Sequence, residues 1–87
     1  MKDKVSFLLP ISNNEKEYCK SIKSILHQTH KNLEVLIGLN GNSKRFDNEL
    51  KKKYRSDNRI KIFQSPKKSI VLTLNLLIKK SRGYYIA

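Results

Sequence analysis

Leu33-Glu34-Val35-Leu36-Ile37-Gly38-Leu39 is a β-like run carrying a single acid, and it closes on the turn cluster Asn40-Gly41-Asn42-Ser43. β-Branched and Leu residues bounded by Asn, Gly and Ser predict a strand that stops at the turn. Upstream, Tyr18, Cys19, Ile22, Ile25 and Leu26 recur at the three-and-four spacing of one helical face, which predicts a helix from about Glu15 to His27. Asn14 followed three residues later by Glu17 resembles a capping box for its start. Before it, Lys4-Val5-Ser6-Phe7-Leu8-Leu9, stopped by Pro10, fits a buried parallel strand better than a helix.

Downstream of the turn, Phe46, Leu50 and Tyr54 repeat every four residues, a thin apolar stripe on a charged surface helix. Arg59-Ile60-Lys61-Ile62-Phe63 alternates as a brief strand. Pro66 and Ser69 punctuate before the apolar segment Ile70 to Ile78, in which Ile70, Leu74, Leu77 and Ile78 share one face. Gly83 suits the left-handed position past a helix end, and Tyr84-Tyr85-Ile86-Ala87 begins a fourth strand. The order β-α-β-α-β-α-β with single-helix crossovers predicts an α/β fold. It is a three-layer, Rossmann-like, mostly parallel sheet with helices on both faces, in one domain spanning residues 1–87. Ligands of such sheets bind outside the carboxyl ends of the strands, at the loops Pro10–Asn14, Leu39–Lys44 and Gln64–Ser69.

The chain has 87 residues and a net charge of +12, too short for two cores. No stretch is long and apolar enough to span a bilayer, and no cleavage-site pattern follows Met1-Lys2-Asp3-Lys4, so a cytoplasmic location is expected. The excess charge is mostly lysine, 15 Lys to 4 Arg, beside eight Asn and nine Ile. That joint bias is also what AT-rich coding would produce. A small basic module binding nucleic acid or another polyanion is the competing reading, but sparse Arg and the lack of a recognised motif weigh against nucleic acid. Lys51-Lys52-Lys53 reads as a solvated helix face and Lys67-Lys68 as a loop.

The first loop offers Pro10, the Ser12 hydroxyl and the amides of Asn13 and Asn14 beside a helix N-terminus, which suit an anion or polar heterocycle or serve simply as a cap. Asn40-Gly41-Asn42-Ser43 carries hydrogen-bonding amides beside a Gly permitting close approach, or is an ordinary turn. It lacks the spacing of a phosphate-binding P-loop. His27 and His30 have no third ligand within their turn. Cys19, the single cysteine, excludes an internal disulfide and reads as an inert core thiol. No triad, nucleophile elbow or paired carboxylates can be assembled.

Taken together, three segments resemble glycosyltransferase family 2, in the N-terminal, nucleotide-sugar-binding half of the GT-A fold. Pro10-Ile11-Ser12-Asn13-Asn14-Glu15 is similar to the family's Pro-x-Tyr-Asn turn, and Ser24-Ile25-Leu26-His27-Gln28-Thr29-His30-Lys31-Asn32-Leu33-Glu34-Val35 to its Ser-(apolar)-Leu-x-Gln-Thr run. Leu74 to Ala87 resembles its third helix and the Gly-x-Tyr-Ile entering strand four. The sequence departs from the family pattern where Leu39-Asn40-Gly41-Asn42 replaces Asp-Asp-Gly-Ser and Ser12 replaces Tyr.

The resemblance implies an enzyme of cell-envelope polysaccharide synthesis that transfers a sugar from a nucleotide-diphosphate donor to a glycan or lipid acceptor, in the cytoplasm or at the inner membrane face. It implies that Pro10, Ile11, Ser12, Asn13 and Asn14 line the nucleoside pocket, that Asn40 faces the base and that Lys68 approaches the phosphates. A divalent metal, Mg or Mn, is expected for the full-length enzyme, with its Asp-x-Asp and the catalytic base beyond residue 87. This stretch alone is expected to bind no metal and to be inactive, and to be able to self-associate through an open sheet edge.

Overall fold

Every residue of β2 (Leu33–Leu39) is buried, and the other elements are arranged about it. A computed structural model describes residues 4–27, 32–65, 69–81 and 85–86. In chain order these form β1 (Val5–Ile11), α1 (Tyr18–Leu26), β2, α2 (Lys44–Tyr54), β3 (Ile60–Gln64), α3 (Ile70–Lys80) and β4 (Tyr85–Ile86). The strands make one sheet in the order β3-β2-β1-β4, with all described pairings parallel. The predicted α/β architecture is therefore present.

The period-two alternation of β2 sends its residues to two unlike layers. Leu33, Val35, Ile37 and Leu39 join Ile11, Ile22, Leu50 and Ile60 in the main core, with Tyr18, Phe46 and Tyr54 packed against it from α1 and α2. Gly38 faces α3 instead, meeting Thr73 and Leu77. This division follows from handedness: right-handed crossovers stepping β1 to β2 to β3 place α1 and α2 on one face, and the return crossover to β4 places α3 on the other.

Glu34 is 1% exposed. Ser6 Oγ donates to its Oε2 at 2.6 Å. The ammonium groups of Lys4 and Lys61 lie 3.7 and 3.6 Å from Oε1, so the one acid of the β2 run is buried with compensation.

Four details differ from the sequence reading. β1 does not stop at Pro10 but runs through it to Ile11. Odd-numbered β1 residues address β2, as the bonds Val5 N–H to Asn32 C=O and Asn40 N–H to Ile11 C=O show. The N–H that Pro10 lacks would point the other way, where the described β4 residues pair only with Val5 and Ser6, so no ladder bond is lost. Helix α1 starts at Tyr18 rather than Glu15, because Asn13 and Asn14 adopt positive φ (56° and 55°) and the chain turns once more before winding up. The capping box does not form: Glu17 is the N-cap residue, without a side-chain cap bond, and the Asn14 side chain is engaged elsewhere.

The fourth difference is in α3. Thr73 and Leu77 are its buried residues, whereas Ile70 and Ile78, expected to share a face with Leu77, are 58% and 48% exposed beside exposed Val71 and Leu72. Close approach of α3 to Gly38 selects a face with a small residue at its centre. The helix is capped by Ser69, whose Oγ accepts from Leu72 N–H at 3.3 Å, and ends at Ser81. Gly83 lies outside the described residues. None of the described helices is long and apolar enough to cross a membrane.

Candidate functional site

At the carboxyl edge of the sheet, the segments after β1 and β2 are tied together side chain to backbone. Asn14 N–H donates to Asn42 Oδ1 at 2.8 Å, and Ser43 N–H donates to Asn14 Oδ1 at 2.8 Å. Asn42 Nδ2 donates to Ile11 C=O at 2.8 Å, and Asn40 N–H donates to the same carbonyl at 3.1 Å. The clasp depends on left-handed backbone at Asn13 and Asn14 and at Gly41 (φ 67°), a conformation that Asn and Gly enter at lowest cost. Ser43 serves as the N-cap of α2, its Oγ accepting from Phe46 N–H.

The segment after β3 joins the same edge. Ser65 N–H donates to Leu39 C=O at 2.9 Å, and Gln64 Nε2 reaches that carbonyl at 3.3 Å. Below it Asn40, 3% exposed, donates Nδ2 to Thr73 Oγ1 at 2.7 Å, and Thr73 Oγ1 donates to Ser69 C=O at 2.7 Å. This chain of bonds fixes which way the Asn40 amide faces.

Two cavities open along the edge. One, of about 140 Å³, is lined by Leu9, Pro10 and Ile11 together with Glu15, Glu17, Tyr18 and Ser21, so it pairs an apolar strand end with acceptors. The other, of about 360 Å³, lies outside the clasp, lined by Asn14, Ser43 and Phe46 with Lys16, Arg45 and Glu49. Arg45 is tied to Glu49 at 3.2 Å.

The structure thus gathers Pro10, Ile11, Asn13, Asn14 and Asn40 at one edge, though not on one cavity. Ser12 uses its C=O to accept from Glu15 N–H. Lys68 lies outside the described residues. Asn42 and Thr73, which lie outside the site residues expected from the sequence, hold the edge together. Asn42 carried a signal, as an amide beside Gly41 in a turn cluster, whereas Thr73 had none, sitting inside an apolar run.

A match to the family described as glycosyl transferase family 2 extends over residues 6–87. The chain belongs to glycosyl transferase family 2. Similar proteins include an uncharacterized glycosyltransferase of Rickettsia bellii (strain RML369-C), 40% identical over 84 residues, which are 97% of this chain and 12% of that protein. Uncharacterized glycosyltransferases of Rickettsia conorii (strain ATCC VR-613 / Malish 7) and Rickettsia felis (strain ATCC VR-1525 / URRWXCal2) are 38% and 37% identical over the same share of the chain. In both, the matched stretch is 14% of the relative's length, so this chain spans a small fraction of the relatives it matches.

Family 2 membership raises the question of a metal. Among the described residues, no three of His, Cys, Asp or Glu converge as a ligand set.

Proposed function

We propose that this edge is the nucleotide-facing part of a glycosyltransferase that moves a sugar from a nucleotide-diphosphate donor to a glycan or lipid acceptor. The observation that carries the reading is the clasp joining Ile11, Asn14, Asn42 and Ser43, in a chain that belongs to family 2. A double loop cross-braced at the carboxyl ends of parallel strands holds the backbone around it at fixed spacing, a platform that suits a nucleobase and ribose.

Asn40, 3% exposed and bonded to Thr73, would brace the edge from beneath with a neutral amide. Ile11, Ser12, Asn13 and Asn14 would form the wall beside it, with Pro10 at the strand end and Lys68 toward the diphosphate. A divalent cation, held by residues outside this stretch, would serve the departing diphosphate in the whole enzyme. The 87 residues alone would bind nucleotide without transferring sugar.

The test is a titration of the chain with uridine and guanosine diphosphates, followed through backbone amide shifts. Movement confined to residues 11–14 and 40–43, and reduced by Asn42→Ala, is the expected result. An edge that does not respond at millimolar ligand would overturn the proposal.

A further inference from the structure

Helix α3 shows solvent an apolar surface. Thr73 and Leu77 seat it on Gly38, and the side turned away from the sheet carries Val71 and Ile78, two turns apart and 66% and 48% exposed, flanked by exposed Ile70 and Leu72. The helix contains no acid, and its last turn ends in the exposed pair Lys79 and Lys80. Lys80 Nζ lies 5.8 Å from the Phe63 ring centre, which places this charge at the border between helix and sheet.

Charge is divided between the two layers in the same sense. On the sheet face beneath α3, the register sets Lys61 beside Leu36, and Lys4, Ser6 and Lys61 meet the Glu34 carboxylate. Glu34 is the single acid among the described residues of that side, and it is 1% exposed and already answered by the two lysines. The remaining described acids belong to the α1/α2 side: Glu15 and Glu17 lead into α1, Asp47 and Glu49 lie on α2, and Asp57 follows it. Lys4, Lys61, Lys79 and Lys80 therefore share one side with four exposed aliphatic side chains and no exposed acid, in a chain of net charge +12.

We propose that this face of α3 is a docking surface for an anionic lipid bilayer, with the aliphatic side chains entering the interface and the lysines directed to headgroup phosphates. A second copy of the chain would also cover apolar surface, but two lysine-rich faces on chains of +12 repel one another. A nucleic acid would also attract lysines, yet its phosphate backbone gives Val71, Leu72 and Ile78 nothing in place of water. An anionic bilayer supplies both parts, since it attracts each lysine near its surface and accepts aliphatic side chains at the headgroup boundary. At 11 residues, about 16 Å, α3 is long enough to lie in the interface plane and too short to cross. The exposed acids of the α1/α2 side then point away from the lipid charge. Docking here is independent of what the carboxyl edge binds.

The experiment is co-sedimentation of the chain, at physiological salt, with vesicles of phosphatidylcholine containing about one-third phosphatidylglycerol, compared with phosphatidylcholine alone. Binding about tenfold tighter to the anionic vesicles is expected. Val71→Ser/Ile78→Ser keeps the charge and removes two exposed aliphatic side chains, and should weaken that binding about tenfold. Lys79→Gln/Lys80→Gln should weaken it about tenfold, whereas Lys51→Gln/Lys52→Gln, which takes the same charge from exposed positions on α2, should change it by less than about twofold. Every substituted side chain is exposed, so circular dichroism should show all variants folded. No vesicle binding by the folded parent would overturn the proposal. Equal affinity of the parent and Val71→Ser/Ile78→Ser would also overturn it, as a polyanion site without an apolar part. Equal losses from the two lysine pairs would do the same, as attraction of the chain's overall charge. A parent that is a dimer in solution and is made monomeric by Val71→Ser/Ile78→Ser would assign the face to a second copy and overturn the lipid reading.

Discussion

Thr73 of α3 lies directly over Gly38 of β2, so that a methyl group at position 38 would land on the Thr73 Cγ2 and come within 3.3 Å of Leu77 Cδ1. Thr73 cannot rotate away without breaking its bonds to Asn40 and Ser69. Gly38→Ala is therefore expected to cost about 1–3 kcal/mol, as overpacking of a close interface does. Adding Thr73→Ser, which keeps the hydroxyl and removes the obstructing methyl, should recover part of that loss. Urea unfolding of the single and double variants tests the coupling, and additive effects would count against it.

The hydroxyl of Thr73 has its own role. Thr73→Val preserves shape but leaves the buried Asn40 Nδ2 without its acceptor, a loss of about 1–3 kcal/mol. Asn40 side-chain amide resonances should broaden or move in the variant. An unchanged unfolding midpoint would show that the bond contributes little.

The clasp predicts unequal sensitivity among neighbouring asparagines. Asn42→Ala removes the bonds to Asn14 N–H and Ile11 C=O and should cost about 1–2 kcal/mol while hastening hydrogen exchange at Asn14. Asn13 makes its contribution through backbone conformation, so Asn13→Gly should be tolerated while Asn13→Val destabilises by about 1 kcal/mol or more. Comparable losses for Gly and Val at position 13 would argue against a left-handed backbone there.

Acid stability should register Asp57. The Arg59 side chain donates from Nε and Nη2 to the Asp57 carboxylate at 3.2 and 3.1 Å, and Arg59 N–H donates at 3.0 Å. The side chain first, then the backbone N–H, hold this carboxyl below its ordinary value of 3.8. The unfolded chain takes up the proton more readily, so this stabilisation is complete above the unfolded value and is lost as pH falls through the lower folded one. Asp57→Asn should make stability less dependent on pH below about 4, seen as a shallower acid limb in thermal melts. An acid limb as steep as the parent's would remove Asp57 from the account.

Alternation of strands and helices was legible because periodicity is a local property, and β2 in particular coincides with its predicted span. What escaped the sequence depended on neighbours. Whether Pro10 ends a strand turns on which side its missing N–H would face. Asn14 and Glu17 had the spacing of a cap, yet the Asn14 carboxamide satisfies Ser43, far along the chain. The buried face of α3 was set by how closely a helix can pass over Gly38, so Thr73 displaced Ile70 and Ile78. The edge itself could be located from strand order, but Asn42 gained its role only when two loops met. Cys19 had an apolar pattern around it, and nothing local announced that it would be half-buried rather than an inert core thiol, with Lys53 Nζ donating to its Sγ at 3.1 Å.

The strand order also says something about how the chain folds. Val5 pairs with Leu33 on one side and with Tyr85 on the other, so the first strand stands between its nearest and its most distant partner in the sequence. Closing the longer loop costs about 1 kcal/mol more in chain entropy than closing the shorter. The unit β1–α1–β2 should therefore form first and act as template for β3. The β4 pairing, which closes the longest loop, should come last on folding and open first on unfolding, and its amides should be the earliest of the sheet to exchange with solvent.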